Sequence, residues 1–245
     1  MLSYSVLGII QGIFEWIPIS SEGVVAFVSQ FLITKVNPID VALFLHLGTL
    51  FAVLVYFRKD WIEVLSLKNK SLLRFFTIAT IVSLIVGFFL YNLIKNMAIG
   101  SSLLVIMGIG LLFTAYFHKQ KKTISLGFNN LAVISGFLQG LAVIPGLSRS
   151  ASTIFSLSLG KKSPQEILKI SYMMSAPVVL ASSIYLYLNN PFIIFDFWPA
   201  LVFSFLVGFF SLNFLLNISR KINFFTFALI FALICLIGAG IQYLI

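Results

Sequence analysis

A short apolar element interrupted by a proline occurs twice in this 245-residue chain, and it limits the possible folds more than any other feature. The first copy reads Gly8-Ile9-Ile10-Gln11-Gly12-Ile13 and continues through Glu15-Trp16-Ile17-Pro18-Ile19-Ser20-Ser21-Glu22-Gly23. The second reads Gly136-Phe137-Leu138-Gln139-Gly140-Leu141 and continues through Val143-Ile144-Pro145-Gly146-Leu147-Ser148-Arg149-Ser150. Gly8, Gln11, Gly12 and Ser20 each recur 128 positions later, whereas Pro18 recurs 127 positions later, so one residue is gapped between the two copies. The chain is therefore two related halves, 1–120 and 128–245, of a single polytopic domain.

Polarity sets the class. With 60% hydrophobic residues, 9% charged residues and 27 phenylalanines, the chain carries more apolar surface than a water-soluble domain can hide. Apolar runs recur at about the 20 residues a helix needs to cross roughly 30 Å of hydrocarbon. The reading is an all-α integral membrane protein, with six full spans predicted near 40–58, 72–94, 100–117, 167–189, 196–217 and 222–244. The first basic residue is Lys35, so no cleavable leader is expected at the start. The lone cysteine, Cys235, excludes an internal disulfide and is assigned to core packing. A membrane surface accounts for the net charge of +9 without nucleic acid as a partner.

The repeated elements, about 2–32 and 128–160, fit a crossing poorly. Residues 2–17 make a helix of about 24 Å, short of the bilayer core. Pro18 disfavours helical geometry at Ile17, and the Ser20-Ser21-Glu22-Gly23 run supplies turn-forming backbone. Pro145-Gly146 does the same in the second copy. Broken backbone is tolerated at membrane depth only where protein covers it or water reaches it. Both elements read as re-entrant helical hairpins, with a kinked spanning helix as the alternative. Each half is then a hairpin plus three transmembrane helices, arranged as an inverted-topology repeat. Charge agrees. With the 58–74 loop in the cytoplasm, all but three of the 16 basic residues are cytoplasmic, the three being Lys35 and Lys95 outside and Arg149 in a hairpin tip. The protein is expected in the cell (plasma) membrane, with both termini external.

The chemistry concentrates at the breaks. Gln11 and Glu15 share one face of the first half-helix. A carboxylate in such apolar sequence persists only if paired, protonated or bound to a cation. Its natural partner is Arg149, with hydroxyls from Ser20, Ser21, Ser148, Ser150, Ser152 and Thr153 around the pair. An arginine with hydroxyls and backbone N–H groups at a helix start is a phosphate-binding set, to which Gly146 adds flexible backbone. Glu15 and Gln11 can hold a hard divalent cation, Mg2+ or Ca2+, against the same phosphate oxygens. The competing reading makes Glu15–Arg149 a buried salt bridge that only joins the hairpins, and it leaves the hydroxyls unexplained.

These segments resemble the undecaprenyl-pyrophosphate phosphatase family of the bacitracin-resistance type. The family's first motif, an acid or glutamine, then three residues, then glutamate, reads Gln11-Gly12-Ile13-Phe14-Glu15 and leads into Trp16-Ile17-Pro18-Ile19-Ser20-Ser21. The second motif reads Pro145-Gly146-Leu147-Ser148-Arg149-Ser150-Ala151-Ser152-Thr153 without a departure. His46-Leu47-Gly48-Thr49-Leu50 and Ser175-Ala176-Pro177 are similar to further family segments, so the likeness runs along nearly the whole chain. It implies a membrane hydrolase that removes the terminal phosphate of a long-chain polyprenyl diphosphate and recycles the lipid carrier. It also implies dependence on a divalent metal, and it leaves open the oligomeric state, a homodimer included.

One departure matters. The family continues Ser-Ser-x-Gly-His, and the histidine is a proposed catalytic residue; here Val24 takes its place. Either Glu22 assumes the acid–base role or it faces water at a hairpin mouth. His46 either reaches the site or packs at a helix end. The expected catalytic set is Gln11, Glu15, Ser21, Glu22 and Arg149, and the substrate-binding set is Ser20, Gly146, Ser148, Arg149, Ser150 and Thr153. The alternative function is a non-hydrolytic polyprenyl-phosphate translocase or binder, which the inverted repeat and the missing histidine favour.

Overall fold

The computed structural model describes residues 2–17, 20–33, 36–95, 101–119, 126–160, 163–189, 192–218 and 224–244. Those residues form eleven helices and no strand. The first half contains α1 (Leu2–Phe14), α2 (Ser21–Leu32), α3 (Pro38–Tyr56), α4 (Arg58–Leu65), α5 (Lys70–Ile94) and α6 (Ser101–Lys119). The second contains α7 (Phe128–Leu141), α8 (Arg149–Ser158), α9 (Pro164–Asn189), α10 (Phe192–Ile218) and α11 (Phe224–Leu244).

Local chemistry starts several of these helices. The Ser20 hydroxyl accepts from Gly23 N at 3.1 Å to cap α2, and Ser148 accepts from Ala151 N at 3.2 Å to cap α8. Asn37 accepts from Ile39 N at 2.9 Å ahead of Pro38, and Asn69 accepts from Leu72 N at 3.0 Å. The expected interruption of the repeated element is present in both copies, although Pro18 itself lies outside the described residues. At 13 residues α1 is about 20 Å long, and at 10 residues α8 is about 15 Å, so neither crosses a bilayer alone. In each pair the second arm packs on the first, α2 on α1 and α8 on α7, so the chain turns back at the break.

Three helical segments are long and apolar enough to cross a membrane: Pro38–Tyr56, Lys70–Ile94 and Gln165–Asn189. α6, α10 and α11 occupy the other predicted spans. The 58–74 loop is more ordered than expected because it contains α4. Trp61 and Val64, three apart on that short helix, turn inward: Val64 is buried and Trp61 stacks against Phe76 with centroids 5.6 Å apart. Asp60 on the same helix pairs with Lys169 of α9.

The two repeated elements dock in matching ways. A Cβ added at Gly8 would lie 2.2 Å from the Ala200 carbonyl oxygen of α10, and one at Gly136 would lie 2.5 Å from the Ala79 carbonyl oxygen of α5. One turn on, Gly12 meets Val207 and Ser204 of α10, whereas Gly140 meets Val86 and Ser83 of α5. The receiving helices carry a second repeat that the sequence reading missed. Ala79, Ser83, Val86-Gly87 and Phe88-Phe89 recur 121 positions later as Ala200, Ser204, Val207-Gly208 and Phe209-Phe210. Small residues along this seam let backbones approach closely where lipid provides no hydrophobic drive between helices.

Gly8→Ala and Gly136→Ala should therefore each lower stability by about 1–3 kcal/mol, the usual cost of overpacking. Gly127→Ala should have little effect, since its Cβ would meet nothing within 4 Å. Thermal melts of the purified variants in one detergent test the ordering. Equal melting temperatures for all three would show that the seam is not close-packed.

Candidate active site

Two helices begin at one point in the core, α2 at Ser21 and α8 at Arg149. One hydroxyl bridges them directly: Ser20 Oγ accepts from Gly23 N at 3.1 Å within its own helix and from Gly146 N at 3.0 Å across the breaks, and Ser150 Oγ adds a longer bond to Ile17 O at 3.4 Å. Gly146 has φ +92°, a conformation that favours glycine, and a Cβ there would lie 2.1 Å from the Met107 carbonyl oxygen. Thr114 of α6 supports the second break, donating to Gly146 O at 3.1 Å and accepting from Ser148 N at 2.9 Å. Tyr172 of α9 supports the first by donating to Trp16 O at 3.1 Å, and the Trp16 indole donates to Gly208 O at 2.8 Å. Thr114 and Tyr172 are functional supports that the sequence reading missed. A lone hydroxyl in an apolar run was the only signal of either.

Glu15 lies at the centre. Arg149 Nη2 donates to its Oε1. Its Oε2 faces three groups: Gln11 Nε2 at 2.6 Å, Ser21 Oγ at 3.0 Å and His46 Nε2 at 3.2 Å. Each of them lies on a different stretch of backbone from the break that carries Arg149. His46 sits in the middle of α3, not at its end, and its other ring nitrogen, Nδ1, is 2.7 Å from Ala42 O.

Two connected spaces meet here. A small polar pocket is lined by Glu15, Ser20, Ser21, Glu22, His46, Ser148, Arg149 and Ser150. Beside it lies an apolar cavity of about 440 Å³, walled by Leu43 of α3, Leu84 and Phe88 of α5, Val143, and Val179 and Tyr185 of α9. Glu22, His46 and Arg149 line both spaces and so mark their boundary. With the starts of two helices beside it and a guanidinium in its wall, the pocket has the wall chemistry of an anion site, and its volume of about 10 Å³ admits one water-sized group.

The expected residues divide into groups. Glu15, Ser20, Ser21, Glu22, Ser148, Arg149 and Ser150 line the polar pocket. Gln11 is fully buried behind Glu15. Gly146 commits its N–H to Ser20 and does not line the pocket, and Thr153 donates to Arg149 O at 2.9 Å and pairs with Ser171 Oγ at 2.6 Å. Both shape the second break from behind. Glu22 is not at a watery mouth: it is 7% exposed, and its Oε1 has no hydrogen-bond partner. Arg149 Nη1 is likewise buried without a partner. Val24 points the other way, into an apolar cluster of Met107, Leu111, Ala232 and Cys235.

The donor set bears on a cation. Among the described residues no three His, Cys, Asp or Glu side chains are grouped to hold a metal ion. Gln11 Oε1 and Glu22 Oε1 are buried oxygens without a donor, the kind of ligand a hard divalent cation takes. The set fits a cation that takes a few protein oxygens and completes its shell with water and phosphate oxygens.

Comparison with known proteins agrees with the geometry. The family model described as bacitracin resistance protein BacA matches residues 4–237. The chain is 32% identical to the undecaprenyl-diphosphatase of Haloarcula marismortui, over 95% of this chain and 94% of that protein. It is 32% identical to the one from Methanothrix thermoacetophila, over 94% of each chain. It is 30% identical to the one from Treponema denticola, over 92% of each.

Proposed function

This chain belongs to the bacitracin resistance protein BacA family, and from that premise we propose that it hydrolyses a long-chain polyprenyl diphosphate, of the undecaprenyl type, to the monophosphate and inorganic phosphate. One observation carries the reading: a polar pocket with an arginine, two helix starts and serines in its wall adjoins a greasy cavity and shares Glu22, His46, Ala142 and Arg149 with it, the pairing a lipid diphosphate requires once the pocket widens around the phosphate. The tail occupies the cavity, and the terminal phosphate occupies the pocket against Arg149, Ser20, Ser148 and Ser150. Arg149 Nη1, which has no partner, receives a phosphate oxygen.

The chemistry follows from the contacts. Ser21 Oγ, already directed at Glu15 Oε2, attacks the terminal phosphorus and passes its proton to that carboxylate. The bond to the bridging oxygen breaks, and its electron pair leaves with the polyprenyl monophosphate. A water then attacks the phosphoserine phosphorus, with Glu22 Oε1 accepting its proton; the phosphorus–Oγ bond breaks, and Glu15 returns its proton to the departing Ser21 Oγ. Mg2+ or Ca2+ held by Glu15 and Gln11, with Glu22 Oε1 close by, would supply neutralisation of phosphate charge.

The inverted-topology repeat is part of the same proposal. What supports it is the exchange of partners: α1 packs on α10 of the second half while α7 packs on α5 of the first, through matching residues. α3 against α9 and α6 against α11 are the pairs such a twofold would map onto themselves. In this arrangement both termini are external and each broken element returns to the side it entered. The same symmetry favours the translocase reading, which the turnover assay separates. Cysteines at Ser3 and Asn69 should label from opposite sides, with Asn69 cytoplasmic. Labelling of Ser3 and Asn69 from one side would end the inverted model.

Purified protein with Mg2+ or Ca2+ should release phosphate from a polyprenyl diphosphate, and chelation should abolish release. Arg149→Lys should be nearly as damaging as Arg149→Ala, because an ammonium cannot reproduce the planar donor fork that spans Glu15 and phosphate. A lysine variant with most of the wild-type turnover would reduce Arg149 to a general charge. No release under any condition would leave translocation as the function.

Glu22→Gln should slow turnover by about 10²–10⁴-fold, the usual contribution of a general base. Phosphorylated Ser21 should accumulate, visible by mass spectrometry after a single turnover. Wild-type turnover in this variant would make Glu22 a spectator.

A further inference from the structure

The family motif places a histidine two residues after Glu22, yet that position cannot serve here. Val24 faces the α6–α11 cluster of Met107, Leu111, Ala232 and Cys235, away from the polar pocket. An imidazole does reach the site, from another element. His46 of α3 brings Nε2 to 3.2 Å from Glu15 Oε2.

Its place is informative in two ways. First, Glu15 Oε2 has three donor groups around it, at 2.6, 3.0 and 3.2 Å, and a carboxylate oxygen has about two lone-pair positions. One donor is surplus, and His46 holds the longest of the three contacts. Second, of those donors only His46 lines both the polar pocket and the apolar cavity; Ser21 lines the pocket alone and Gln11 neither. A lipid diphosphate lying across that boundary puts its terminal phosphate in the pocket and its tail in the cavity. The lipid-side phosphate is then at the boundary itself. Nδ1 donates to Ala42 O at 2.7 Å, so Nε2 carries a hydrogen only when the ring is an imidazolium, the form that the Glu15 carboxylate beside it and a phosphate both favour.

We infer that His46 is a substrate-contacting residue that, as an imidazolium, donates from Nε2 to the lipid-side phosphate, supplying from α3 what the family motif supplies from α2. Gln11 and Ser21 keep Glu15 Oε2 satisfied when a phosphate oxygen takes its place in front of the Nε2 hydrogen. The inference rests on the diphosphatase reading, because it needs a ligand with two phosphates in line.

The experiment compares two ligands. Farnesyl monophosphate carries a lipid-side phosphate and a tail, whereas inorganic phosphate occupies the pocket alone. Their affinities are measured by calorimetry for wild type, His46→Ala and His46→Gln in detergent. His46→Ala should weaken farnesyl monophosphate by roughly 10–100-fold, the loss of one charge-assisted hydrogen bond, while inorganic phosphate binds nearly as before. His46→Gln, which keeps an N–H donor but no imidazole, should recover most of the lost affinity. Unchanged affinity for the monophosphate in His46→Ala overturns the inference. So does an equal fall for both ligands in both variants, which would mark His46 as packing. If the alanine variant is not monodisperse, His46→Leu keeps the volume without the donor and is read the same way. Phosphate release by the wild type judges the diphosphatase reading separately, since the ratio of the two affinities does not depend on turnover.

Discussion

A buried carboxylate sets the terms for this protein. Glu15 is 4% exposed in a chain of membrane-crossing helices, and an unpaired charge at such depth costs several kcal/mol or more. Every arrangement near it serves to offset that cost. The guanidinium of Arg149 comes from the other half of the chain, the imidazole of His46 from α3, and the amide of Gln11 from the preceding turn. Those groups converge only if both breaks meet, and Ser20 joins them by accepting from Gly23 N and Gly146 N at once. Neutralising Glu15 and assembling the tertiary structure are therefore one event.

Replacing an ion pair of this kind with apolar residues is often neutral or stabilising, so stability alone does not explain it. The unsatisfied atoms do. Glu22 Oε1 lacks a donor and Arg149 Nη1 lacks an acceptor at the wall of the same pocket, and folding by itself would not leave both. On the proposed reading a phosphate oxygen would complete the nitrogen, and a proton or cation the carboxylate. The adjoining apolar cavity gives the tail of the proposed lipid substrate a place beside that polar chemistry.

The seam that carries the breaks is as demanding as the site. Gly8 and Gly136 touch the carbonyls of Ala200 and Ala79, so each broken element lies directly on a helix of the opposite half. Close backbone approach of this sort fixes where each tip ends, and Arg149 and Glu15 are placed within reach as a result. The repeated Ala, Ser, Val-Gly and Phe-Phe positions of α5 and α10 are the receiving half of that device.

Much of this was legible in the sequence because its causes are local. Apolar length marks membrane helices, proline and glycine interrupt them, and serine caps the helix beyond each break, all within a few residues. The charged pair was legible too, since few residue types can share an apolar interior with Glu15. The rest depended on distances the chain does not record. Position 24 looked like the place of a lost catalytic residue, but its direction is set by helix rotation against α6 and α11, and it faces away. His46 was ambiguous between site and packing until the packing of α3 brought it 3.2 Å from a residue 31 positions earlier. Thr114 is one hydroxyl among many until the second break lies on it. What the sequence by itself determined was the medium, the breaks and the polar residues beside them, because these come from transfer energies and backbone chemistry. Only the tertiary structure decided which side chains share the pocket, because helix rotation and close approach are fixed jointly by contacts far apart in the chain.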